Sequence, residues 1–417
     1  MNKFHSNHEF IYLERWITPL LRTALSEHRV VVLTGARQVG KSTLLQNAEP
    51  VSHWRYHTLD DFDVLRRAEQ DPQALWAGVE QVVLDEVQKA PALLPVVKQA
   101  VDRKPDMRFV LSGSANLLLM RRVSESLAGR AVYFILSPMT IGEMRGAPPP
   151  DTLSQLLAGQ WPPEGSIPES ATDPFALALR GFMPALLSLE RPEAWVRWWE
   201  GYVATYLERD LRQISQIASL LDFHRVMEFL ALRNGQLLNQ SEIARDAAVS
   251  QPTVLRYLNL LEATHLVERL LAYATSRTTR LVKSPKLYWA DPGLAAFLAG
   301  YYERDALAQA REAGAFFETL ILHHLKVLAQ LMVPRGWLFY WRTTTGHEVD
   351  FVLEQGRRLL AFESKLTATP RYGDAEGLRL FLREHHQAVG GVLIHSGQDI
   401  KRLDERIVAL PWTMLTG

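Results

Sequence analysis

Between residues 29 and 136 the chain repeats one pattern: a short β-branched run, then a turn or charged cluster, then apolar positions three and four apart. That rhythm predicts βαβ units. The strand candidates are Arg29 to Leu33, Trp54 to Leu59, Gln81 to Leu84, Arg108 to Ser112 and Ala131 to Leu136. Two of them are nearly all apolar, as expected of strands covered by helices on both faces. From Gly146 to Pro174 the periodicity breaks over seven prolines, which predicts a connector across 146–174. Beyond it, to about residue 300, the pattern is mainly helical, and Trp195, Trp198 and Trp199 share one helix face as expected core. Residues 301–417 read as a helix, three strand-like runs (Leu338 to Arg342, Glu348 to Leu353, Arg358 to Glu363) and another helix. The expected division is therefore 1–145, 146–174, 175–300 and 301–417.

Composition narrows the function classes. Apolar residues make up 47% and charged residues 22%, which excludes a disordered, collagen-like or coiled-coil chain. Forty-six basic residues balance forty-six acidic ones, so any affinity for nucleic acid must come from local patches. With no cysteine, disulfides, thiolate zinc sites, iron–sulfur clusters and thiol catalysis are excluded. Residues 1–9 lack the apolar core of a signal peptide, and no uncharged stretch approaches the roughly 18 residues of a membrane span. The expected setting is the cytoplasm, with no membrane partner.

Gly35-Ala36-Arg37-Gln38-Val39-Gly40-Lys41-Ser42 fits G-x-x-x-x-G-K-[ST], directly after an apolar strand and before the helical run that starts at Thr43. In such a loop glycines let backbone N–H groups face phosphates, Lys41 reaches the terminal phosphates and Ser42 ligates Mg²⁺. Val82-Val83-Leu84-Asp85-Glu86 supplies the second half: Asp85 is expected to hold the metal and Glu86 to polarise the attacking water. Ser114, with Asn116 as the alternative, is placed at a strand end to orient water, and either residue can instead cap a helix. Arg130, just before the fifth strand, is a candidate guanidinium for transition-state charge, in its own chain or a neighbour's.

These residues, with Leu84 to Pro91, Ser126 to Ala131 and Tyr206 to Leu211, resemble the AAA-type ATPases, widespread in archaea and bacteria, that join an ATPase core to a winged-helix segment and a C-terminal PD-(D/E)xK nuclease-like domain of unknown function. The resemblance implies an α/β RecA/AAA-like P-loop core, hydrolysis of ATP with Mg²⁺, and assembly into a ring or other homo-oligomer, of which a hexamer is one form.

Two further motifs concern DNA. Gln240 to Leu258 has helix-turn-helix form, with Gln251, Thr253, Arg256 and Asn259 outward. Arg277 to Lys286 carries Arg277, Arg280, Lys283 and Lys286 with no acid, as a β-wing against phosphates would. In the last domain a hairpin brings Asp350 near Glu363 and Lys365. The two carboxylates can bind Mg²⁺ while Lys365 steadies a hydroxide or the scissile phosphate, and Glu318 is the helix-borne acid of such a site. His323-His324 and His385-His386 are adjacent pairs that cannot face one way on a helix, and they are not read as metal ligands. The expectation is an oligomeric, Mg-dependent ATPase acting on DNA. Two alternatives stand beside it: an ATP-driven protein-interaction switch, and an ATP-regulated metal-dependent nuclease.

Overall fold

In a computed structural model that describes residues 12–114, 127, 129–168, 172–205, 217 and 219–417, the N-terminal rhythm becomes a five-stranded parallel sheet. Its strands are β1 (Val30–Gly35), β2 (Arg55–Thr58), β3 (Gln81–Asp85), β4 (Arg108–Ser114) and β5 (Ala131–Ile135), in the order β2-β3-β4-β1-β5. Alternation along the strands sorts the side chains onto two helical layers. Val31, Leu33, Val83 and Val110 pack with Leu21, Leu44 and Leu45 on one face. Val30, Val32, Val82, Leu84 and Phe109 pack with Leu93, Val97 and Val101 on the other. This is the architecture of a P-loop ATPase core. All connections run the same way, so the carboxyl ends of β1, β3 and β4 share one edge.

The 146–174 segment is more structured than its prolines suggest. The helix Thr152–Leu157 buries Leu153, Leu156 and Leu157 in the core of the C-terminal domain, beside Leu360 and Phe362, and β6 (Gly165–Ser166) adds an edge strand to the C-terminal sheet. Proline is compatible with both, because it breaks helices only in their interiors and sits readily beside edge strands.

The helical region contains Pro174–Arg180, Pro192–Tyr202, Leu220–Leu232, Gln240–Asp246 and Gln251–Ala263. Trp199 lies in the first core and Trp195 and Trp198 pack against it. After the last of these helices come two antiparallel strands, β7 (Val267–Leu270) and β8 (Lys286–Trp289). Between them the basic run forms a helix, Arg277–Val282, not a β-wing. Ser276 caps it, its hydroxyl accepting from Thr279 N, which starts a helical turn where charge counting alone suggested a strand.

The C-terminal domain is a seven-stranded mixed sheet in the order β6-β13-β14-β12-β11-β10-β9. Its strands β9 (Trp337–Arg342), β10 (Glu348–Gln355) and β11 (Arg358–Lys365) are antiparallel neighbours, and β12 (Ala388–His395) runs parallel to β11. The strands β13 (Asp399–Asp404) and β14 (Ile407–Pro411) complete it. The long helix Ala313–Leu331 covers one face through Phe317, Leu320, Phe351, Leu353, Leu360 and Phe362. The helix Glu376–Glu384 covers the other, against Val349, Val352, Leu359 and Ala361. Between Val349 and Val352 the register of β10 against β9 shifts, so Asp350 lies at a bulge.

Candidate functional sites

The phosphate loop leaves β1 at the carboxyl edge of the sheet. Gly35 has φ +153°, and a Cβ there would fall 2.3 Å from the Leu136 carbonyl oxygen, so a side chain would push the loop off β5. Gly40 has φ +94° and starts the helix Lys41–Asn47, placing Lys41, Ser42 and Thr43 in its first turn. Ala36 and Val39 are buried. Arg37 and Gln38 form the exposed outer part of the loop.

The chemistry converges from separate strands. Ser42 Oγ donates to Asp85 Oδ2 at 2.5 Å, Tyr56 OH donates to the same oxygen at 2.6 Å, and Glu86 N donates to Asp85 Oδ1 at 3.0 Å. Lys41 Nζ donates to the carbonyls of Gly35 (3.1 Å) and Ala36 (2.9 Å). Burial lowers the pKa of Lys41, opposed by Glu86 and Asp85. Burial, and then the Asp85 charge, raises that of Glu86, opposed by Lys41. Glu86 adopts φ +57° and accepts a hydrogen bond from Gln88. A hydroxyl and a buried carboxylate in contact are the hard oxygen donors that Mg²⁺ prefers, and a buried ammonium beside them suits phosphate. The residues present thus fit a nucleotide with Mg²⁺.

Arg15 braces the loop from outside the motif. Its guanidinium donates to Val39 O (2.8 Å) and Ser137 O (2.7 Å), and it pairs with the buried Glu143 at 3.1 Å. Tyr202 OH donates to Arg37 O at 3.4 Å, and a Cβ at Gly40 would lie 3.5 Å from Pro184 Cγ, so the helical region borders the loop. No role for Tyr56, Arg15 or Tyr202 is legible in the sequence, and Gln88 stands out there only within the Leu84 to Pro91 run. Only the parallel register Thr58↔Asp85 puts Tyr56 beside the aspartate, and no local pattern encodes that.

Ser114 ends β4 directly beside Gly35, at the same edge as the loop; Asn116, Ser126 and Tyr206 to Leu211 lie outside the described residues. Arg130 is a correction. It precedes Ala131, which pairs with Val30, so it lies at the opposite edge of the sheet, about 16 Å from the loop at a rise of about 3.3 Å per residue. There it donates to both carboxylate oxygens of Asp102, at 2.6 and 3.0 Å. It cannot serve the site of its own chain.

The DNA candidates divide. Gln251, Arg256 and Asn259 are exposed on Gln251–Ala263, Thr253 is half-buried beside the Ser250 hydroxyl at 2.9 Å, and Asn259 accepts from Arg269. Arg277 lies in the helix Arg277–Val282. Lys283 is exposed and donates to Arg342 O at 3.3 Å. Arg280 and Lys286 are corrections, because both turn inward. Arg280 makes a bidentate pair with Glu354 at 2.7 and 2.9 Å, between the rings of Tyr273 and Phe339. Lys286 is 4% exposed. Neither can meet a phosphate backbone without abandoning a carboxylate partner.

The hairpin in the C-terminal domain forms as expected. Phe351 pairs with Phe362, which brings Asp350 beside Glu363 at the end of the two strands. Asp350 Oδ2 accepts from Ser364 N and Oγ, both at 2.8 Å, and Lys365 Nζ donates to Glu363 Oε1 at 2.7 Å. Burial, then the Asp350 charge, pushes the pKa of Glu363 up to about 8. Glu318 is pushed up to about 7 for the same two reasons, opposed by Lys286. Among the described residues no three acidic or imidazole groups are grouped to hold a metal ion.

His323, His324 and His385 serve packing, while His386 is exposed. His323 Nε2 lies 2.9 Å from Met139 O, and His324 Nε2 accepts from Ile141 N at 3.3 Å, joining Ala313–Leu331 to the end of the ATPase core. His385 stacks on Phe381 with centroids 4.3 Å apart.

Comparison with known proteins agrees with the core. Residues 27–145 match the family described as AAA domain. Residues 172–306 and 313–415 match two domains of unknown function, DUF8612 and DUF4143. The uncharacterized proteins Rv2008c of Mycobacterium tuberculosis and Mb2031c of Mycobacterium bovis are each 33% identical over 395 residues, covering 94% of this chain and 82% of theirs. The chain belongs to their family, in which an AAA-type P-loop ATPase domain is fused to a C-terminal domain of unknown function. A solved structure, the Walker-type ATPase PABY2304 of Pyrococcus abyssi, covers 69% of this chain and 96% of its own at 16% identity and TM-score 0.46, a similarity too loose to equate the two folds. Among the described residues no helix is long and apolar enough to cross a membrane.

Proposed function

We propose that the protein hydrolyses ATP at the Gly35–Ser42 loop and that its nucleotide state acts on the helical region. The observation that carries this is the contact at 2.5 Å between Ser42, in the first turn of the helix after the loop, and Asp85, at the end of β3, beside the buried Lys41. Lys41 and the loop amides would hold the phosphates, and Ser42 and Asp85 the Mg²⁺, whose role when bound is to neutralise charge on the transferring phosphoryl group. Glu86 accepts the hydrogen bond of the attacking water and orients it. Lys41→Ala should abolish phosphate release while circular dichroism stays unchanged; turnover equal to wild type would end the reading.

Tyr202 and Pro184 border the loop, which supports a switch in which helical segments respond to nucleotide. Action on DNA is the second reading. It rests on the exposed Gln251 and Arg256, with Lys283 as a further exposed cation. Duplex binding that weakens with salt and with Arg256→Ala would support it, and no binding at low salt would leave the protein switch. Assembly into a ring stays a proposal that sedimentation with and without ATP tests.

A further inference from the structure

The nuclease-like reading of the last domain implies a divalent metal between Asp350 and Glu363, and the side chains present do not fit one. An amine from outside the domain already stands beside Asp350, and Lys365 holds Glu363. Lys286 Nζ contacts Glu318 Oε1 at 3.0 Å, Glu348 Oε1 at shorter range and Asp350 Oδ1 at 3.8 Å. Tyr288, two residues along β8 and so on the same face, donates its hydroxyl to Glu318 as well. Neither residue belongs to the C-terminal domain: both project from β8, whose backbone is fixed by Leu287 N to Gln236 O (3.0 Å) and Gly235 N to Leu287 O (2.7 Å).

We propose that Lys286 is the resident cation of this carboxylate cluster: an ammonium supplied by the helical region excludes a divalent metal and docks the C-terminal domain where a nuclease would bind one. Three features support this. An ammonium this buried is tolerated only with paired, well-placed carboxylates, and three surround it. The bulge at Asp350 turns that carboxylate toward both Ser364 and Lys286, so it is shared between the domain's own hairpin and the incoming strand. Glu363 Oε2 is buried with no hydrogen-bond partner among the described residues, while Lys365 occupies Oε1. Three carboxylates thus converge on the ammonium of Lys286, and the second ammonium reaches only one oxygen of Glu363. The inference is independent of ATP hydrolysis.

The test uses full-length, nucleotide-free protein and Mn²⁺, with free ion counted by electron paramagnetic resonance. Wild type and Asp350→Asn should bind Mn²⁺ equally, because the cluster takes none. Lys286→Met should gain one ion with at least tenfold higher affinity than any site of wild type, and Lys286→Met with Asp350→Asn should lose it. The proposal is overturned if wild type holds an ion that Asp350→Asn releases, or if folded Lys286→Met gains none. If Lys286→Met does not fold, adding Glu318→Gln removes one orphaned charge and should restore wild-type circular dichroism. A double variant as unfolded as the single one overturns the pairing.

Discussion

His324 offers a measurement of how the C-terminal domain is joined to the ATPase core. Its Nδ1 donates to Leu320 O at 2.9 Å and its Nε2 accepts from Ile141 N, so the ring is held in one neutral tautomer. A proton on Nε2 would face the Ile141 N–H. Burial lowers the pKa to about 4 from the ordinary 6.5, opposed by the Leu320 carbonyl and Glu143. Between those values the unfolded chain binds a proton that the folded chain refuses, so stability falls as pH falls. At pH 5 the unfolded state gains RT ln(1 + 10^1.5), about 2 kcal/mol, and the folded state almost nothing. The raw pH curve does not isolate this term. Asp291, Glu318 and Glu363, raised by burial to about 6, 7 and 8, take up protons more readily when folded than when unfolded, so their contribution to stability grows as pH falls over part of the same range. Comparison of variants isolates it. Urea unfolding at pH 7.5 and pH 5, for wild type and His324→Gln, should show the acid-induced loss about 2 kcal/mol smaller in the variant, whose amide can still accept from Ile141. An equal loss in both proteins would refute the neutral-tautomer argument.

Three further outcomes are expected. Glu86→Gln should bind ATP with wild-type affinity and turn over about 10²- to 10⁴-fold more slowly, read by fluorescent-nucleotide binding beside phosphate release. Gly35→Ala, whose Cβ would meet Leu136 O at 2.3 Å, should melt at lower temperature and lose nucleotide binding; wild-type values for both would disprove the close approach of loop and β5. Arg130→Ala should leave the turnover of dilute protein within about twofold of wild type, since the residue lies across the sheet from its own loop, and a loss of the size given for Glu86→Gln would contradict that placement.

What the sequence revealed followed the range of the interaction. The five strands of the core are legible because each is a local run with its own turn signals, and Gly35 to Ser42 is legible because a phosphate loop needs its residues contiguous. Asp85 and Glu86 follow from the same logic at a strand end. Tyr56 donates to Asp85 from 29 positions away, and Arg15 reaches Val39 across 24. Neither spacing follows from a helical or strand period, so both appear only with the tertiary fold. β12, β13 and β14 escaped notice for another reason: Ala388–His395 contains Gly390 and Gly391, which weaken a strand pattern, yet a Cβ at Gly390 would collide with Trp161 at 2.5 Å.

The basic run from Arg277 to Lys286 shows why charge read in a window can mislead. It holds no acid, so in isolation it looks like a surface for phosphates. Coulomb attraction depends on distance in space, and the neutralising carboxylates lie further along the chain: Glu354 is 74 positions from Arg280, and Glu318 is 32 from Lys286. Glu318, read in its own window, suggests the helix-borne acid of a metal site. The two readings overlap at Lys286, which charge alone assigns to DNA and which is a partner of Glu318 and Asp350 from the expected Mg²⁺ site. A cation-rich run and an acid-rich hairpin in one neutral chain therefore predict an internal interface as readily as two separate ligand sites, and only the burial of Lys286 decides between them.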